Sequence, residues 1–91
     1  KGITADCTVG GGKITVDGTV ATTADAGTHV LRFDVFDGAT LRREYSRVVH
    51  APTGRATWTF YPSLDEHGRE WTVRITDVMS GLRARVNGTL N

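Results

Sequence analysis

Apolar and polar residues alternate along much of this chain. In VLRFDVFD (residues 30–37), Leu31, Phe33 and Val35 fall on one side, with Arg32 and Asp34 on the other. In RATWTFYP (55–62), Ala56, Trp58 and Phe60 share a side, opposite Thr57, Thr59 and Tyr61. WTVRITDV (71–78) sets Trp71, Val73 and Ile75 against Thr72, Arg74 and Thr76. GLRARVNG (81–88) sets Leu82, Ala84 and Val86 against Arg83 and Arg85. A period of two with one apolar face predicts antiparallel strands packed on a core. No window repeats apolar residues at helical spacing for long enough to predict a helix. The many Thr and Val residues suit a pleated, half-buried surface.

Turn signals fall between these runs. Gly10–Gly12 separates a first strand (2–9) from a second (13–22), and TADAG (23–27) precedes the third. DGAT (37–40) leads into a fourth, LRREYSRVVH (41–50), and APTG (51–54) precedes the fifth. PSLDEHG (62–68) precedes the sixth, and MSG (79–81) joins it to the seventh. The spacing predicts one all-β domain over residues 1–91, a seven-stranded antiparallel β-sandwich. Asp17-Gly18 is a hairpin signal inside the second strand. A continuous strand with a bulge at Gly18 is the preferred reading, since Ile14, Val16 and Val20 then form one buried row.

Length agrees with that picture: 91 residues make one domain with a small core. The formal net charge of +1 argues against duplex nucleic acid as a partner. Nine of the eleven basic residues are Arg. Cys7 is alone, so no internal disulfide forms, and the residue reads as a small buried hydrophobe. No apolar run is long enough to span a membrane as a helix. The chain begins at Lys1 rather than Met, which suggests a segment of something longer.

Seven strands in this order resemble an immunoglobulin-like or fibronectin type III-like sandwich, although the Cys-Trp-Cys framework of true immunoglobulin domains is absent. The stretch HGREWTVRITDVMSGLRARV (67–86) is similar to the G-x-W-x-V-x-V-x-D-x-x-S/T-G ending of small sandwich modules. Such modules flank catalytic domains in secreted, often carbohydrate-active, bacterial enzymes. The resemblance implies a secreted or extracellular, non-catalytic accessory module. Its partner would be a neighbouring domain of a parent chain or another protein.

The candidate chemistry changes this little. Ser46, Ser63 and Ser80 lie in no nucleophile elbow, and His29, His50 and His67 are too far apart in sequence to suggest a zinc site. No cofactor and no metal are expected. Asp65 and Glu66 read as a solvated acidic loop, and Asp34 and Glu44 as surface partners of Arg32, Arg42 or Arg43. Trp58 and Trp71 fall on inward positions. Tyr45 and Tyr61 are the one plausible pair of exposed rings for stacking on a sugar. Arg32, Arg74, Arg83 and Arg85, with Arg42, Arg43 and Arg47, form a basic stripe that suits acidic glycans or a partner domain. For a carbohydrate-binding role the candidate residues are therefore Tyr45, Tyr61, Arg32 and Arg74. A third reading is self-association through an exposed fourth strand, whose two faces are not cleanly divided.

Overall fold

The structure, a computed structural model, describes residues 2–21 and 29–90. The TADAG turn expected at 23–27 and the last position of the expected second strand, Thr22, lie outside the described residues. Eight strand segments run in chain order: β1 (Gly2–Gly10), β2 (Lys13–Ala21), β3 (Val30–Asp37), β4 (Thr40–Leu41), β5 (Arg47–His50), β6 (Arg55–Phe60), β7 (Glu70–Asp77) and β8 (Arg83–Thr89). Single 3-10 turns at Arg43–Tyr45 and Leu64–Glu66 interrupt them.

These strands form two antiparallel sheets, a layout compatible with a β-sandwich. The smaller has the order β1-β2-β6. In the larger, β3 and β7 are central, β8 flanks β7, and both β4 and β5 pair with β3. One buried cluster holds the sheets together: Ile14, Val16 and Val20 from β2, Leu31, Phe33 and Val35 from β3, Phe60 from β6, and Trp71, Val73 and Ile75 from β7. These are the alternating apolar positions of the sequence, so the period-two pattern and the core coincide. Leu82 departs from its expected inward place and is 36% exposed, because β8 begins only at Arg83 and Leu82 belongs to the turn.

The expected fourth strand, 41–50, is corrected to two short segments. Between them Arg42–Ser46 leaves the plane of the sheet in a 3-10 turn. The gap along β3 is bridged by a side chain: the Val35 amide donates to Ser46 Oγ (3.0 Å), and that hydroxyl donates to the Arg42 carbonyl (2.9 Å). The excursion sends Tyr45 inward, where its ring lies 5.6 Å from both Phe60 and Trp71.

Gly18 is neither a turn nor a bulge. β2 is continuous, and its register with β1 runs unbroken from Gly2↔Ala21 to Gly10↔Lys13. A Cβ at Gly18 would lie 3.1 Å from Ile75 and 3.2 Å from Leu31. Glycine is there because the opposite sheet packs onto the β2 backbone.

Candidate functional site: the arginine face and its neighbours

Register places the outward residues of the larger sheet in rows. Val48, Arg32, Thr76 and Arg83 make one row. Asp34, Arg74 and Arg85 make the next, and Leu41, Phe36, Thr72 and Asn87 the third. The four arginines of the sequence stripe thus meet on one face. Asp34 lies among them and accepts from Arg32 Nε at 3.0 Å and from Arg74 Nη2 at 3.4 Å. The Arg74 guanidinium also lies 5.1 Å from the centroid of the Phe36 ring, within cation–π range. Arg83 and Arg85 have no acidic partner among the described residues. Two shallow hollows open here: one of about 210 Å³ lined by Phe36, Thr72, Arg74 and Arg85, and one of about 260 Å³ lined by Arg74, Arg83 and Arg85.

The rest of the basic stripe does not join this face. Arg47 stacks on Trp58, 5.4 Å from the ring centroid. Arg42 enters an acidic cluster at the end of the sandwich. Its Nη1 lies 2.6 Å from Glu66 Oε2, its Nη2 lies 2.8 Å from Glu44, and its guanidinium sits over the Tyr45 and Trp71 rings. Glu66 is the hub of this cluster and is only 7% exposed, so the solvated-loop expectation is corrected. It accepts from Tyr45 Oη (2.8 Å), Arg42, and the Ser63 hydroxyl (2.8 Å) and amide, completing a capping box on the 64–66 turn. These bonds, led by that from Tyr45, draw the Glu66 pKa from its ordinary 4.5 down to about 2. Burial, reinforced by the Glu66 carboxylate, pushes the Tyr45 hydroxyl up. The signal for Glu66 was present in the sequence as S-x-x-E at Ser63–Glu66.

Tyr45 and Tyr61 do share a surface. With Glu44, Trp58, Thr59 and Phe60 they line an open groove of about 340 Å³. Their roles differ. Tyr61 is 62% exposed, whereas Tyr45 is half-buried and committed to Glu66 and the aromatic cluster. Trp58 donates its indole N–H to the Tyr45 carbonyl at 2.7 Å, fixing one wall.

A third cluster brings together His29, Asp77 and Ser80 at the β7–β8 turn. Asp77 is fully buried and accepts from Ser80 Oγ (2.6 Å), lies 2.9 Å from His29 Nδ1, and accepts from the Met79 amide (3.3 Å). Burial pushes the carboxyl up, but these bonds outweigh it and hold Asp77 below the ordinary carboxylate range. The acid sits between the other two. Activating a serine requires the histidine in the middle, so this order ties the turn to the strand that follows His29.

No family model, no curated protein and no solved structure matches the chain.

Proposed function

We propose that the chain is a non-catalytic accessory module of a larger extracellular protein, a sandwich that packs against a catalytic domain or spaces it from its neighbours. One observation carries this reading: the buried carboxylates Glu66 and Asp77 are spent on tying loops to one another and to the segment ahead of β3. Glu66 binds the 64–66 turn to the 42–45 excursion, and Asp77 binds the β7–β8 turn to His29. The strand order supports it. Constant immunoglobulin domains put the first, second and fifth strands in one sheet and the third, sixth and seventh in the other. Taking β4 and β5 as one interrupted fourth strand, the first, second and fifth strands here share one sheet and the third, fourth, sixth and seventh the other, which supports an immunoglobulin-like or fibronectin type III-like reading. The elongated body, 42 × 24 × 18 Å, suits a spacer. The test is the parent reading frame. A second folded domain in the same frame agrees with this role, and a frame holding these residues alone overturns it.

A second reading, carbohydrate binding, is favoured by the groove between Tyr45 and Tyr61. Tyr61 supplies an exposed ring for stacking, and Thr59 and Glu44 supply polar neighbours. Calorimetric titration with neutral oligosaccharides checks it. Binding lost in Tyr61→Ala supports the groove, and no heat at millimolar sugar removes it. Self-association through the fourth strand is disfavoured by the Arg42–Ser46 interruption, which leaves a β4 edge of two residues and a β5 edge of four.

A further inference from the structure

The outer face of the larger sheet carries Arg32, Arg74, Arg83 and Arg85 against one central acid, Asp34, with Glu70 at the far end. Asp34 is already engaged by Arg32 and Arg74. Arg32, Arg42, Arg55, Arg69 and Arg74 each lie within ion-pair distance of a carboxylate; among the described residues Arg43, Arg47, Arg83 and Arg85 do not, and of these four only Arg83 and Arg85 lie on this face. Two like charges held two residues apart on β8, about 7 Å along the strand, repel each other until an anion arrives. Buried polar atoms at the same place are also unsatisfied. Thr76 is 5% exposed, lies in the row between Arg32 and Arg83, and its Oγ1 has no partner; the buried Arg74 Nε likewise has none. Buried polar groups in folded proteins are normally paired; these two are enclosed beneath the arginines and are not themselves contacts for a ligand on the face.

We propose that this face binds an acidic polysaccharide, with a carboxylate or sulfate group seated between Arg74, Arg83 and Arg85. The guanidinium fork matches the planar or tetrahedral oxyanion with paired N–H donors. Stacking on Phe36 holds Arg74 in place for it. The row beyond offers Thr72 and Asn87, a hydroxyl and an amide bonded to each other, whose remaining polar capacity suits sugar hydroxyls on that one side of the anion. The hollows are shallow and open, so they take one charged unit of an extended chain rather than enclosing a small molecule. An acidic peptide bound by strand addition would use a sheet edge, and the arginines are on a face. This surface is separate from the Tyr45–Tyr61 groove, and the proposal stands whether or not the chain serves as a spacer.

The test is calorimetric titration of the intact chain with a polygalacturonate hexamer, a dextran sulfate oligomer, neutral dextran, a poly-glutamate peptide and a thymidylate oligomer. An acidic oligosaccharide should bind, more weakly as salt rises, and neutral dextran should not. Binding of polygalacturonate alone assigns a carboxylate; binding of dextran sulfate, a sulfate. The double variant R83A/R85A should weaken binding by about a hundredfold, roughly tenfold for each charge-assisted contact, with an unchanged melting temperature. Arg43→Ala removes an exposed arginine outside the face and should leave affinity as it is. R85K keeps the charge but not the fork, and should fall between the two. No binding, an equal loss in Arg43→Ala, or tighter binding of the peptide or the thymidylate oligomer would each overturn the proposal.

Discussion

Glu66 shows how much one carboxylate can organise. It holds Arg42, Tyr45 and Ser63 at once, and its pKa lies near 2 instead of 4.5. A carboxyl whose pKa is lower folded than unfolded stabilises the fold above its unfolded pKa, and that contribution is lost as pH falls through the folded one. Stability attributable to Glu66 is therefore complete at pH 7 and drains away between about pH 4.5 and pH 2. Asp77, also held low, adds a loss of the same sign. Glu66→Gln should melt lower than the parent at pH 7, and the gap should close as the pH approaches 2. Urea midpoints measured across that range check this, and a gap independent of pH would contradict it. At this scale the sequence was only partly legible. Ser63-x-x-Glu66 was readable as a capping box, but Arg42 and Tyr45 come to it from more than twenty residues away, through an excursion that no local pattern announces.

Strands were more legible than the breaks within them. Alternation located β3, β6 and β7 and their inward residues because one face of each strand is covered by the opposite sheet. The fourth strand failed as a single element because LRREYSRVVH carries no clean alternation. Arg42 and Tyr45 are drawn out of the ladder by Glu66 and the Phe60–Trp71 rings. Ser46 makes that break tolerable by standing in for a missing strand carbonyl at the Val35 amide. Ser46→Ala leaves that amide unpaired and should cost about 1–3 kcal/mol. Chemical denaturation reads the cost, and faster hydrogen exchange at Val35 locates it; a neutral Ser46→Ala would show that water fills the role. Gly18 teaches the opposite lesson. Asp-Gly reads locally as a turn, yet the approach of Leu31 and Ile75 decides its place in a straight strand.

Across the whole molecule the two outer faces differ in kind. The smaller sheet turns Thr4, Thr8, Thr15, Thr19, Thr57 and Thr59 outward with Asp6, Asp17 and Arg55, and Thr57 donates to Asp17. The larger sheet turns out four arginines. A net charge of +1 hides this division, because composition averages over faces that only the register separates. The basic stripe was visible in the sequence. Which of its members are neutralised was not, since Arg32 and Arg74 meet Asp34 while Arg83 and Arg85 are left over.

Our central proposal is that this sandwich serves a larger protein without performing its chemistry. Excising residues 2–90 from the parent chain tests it most directly, with kcat on a small soluble substrate as the readout. The account predicts an unchanged kcat, together with a lower melting temperature or weaker attachment to polymeric substrate. A collapse of kcat in a remainder that stays folded would contradict it.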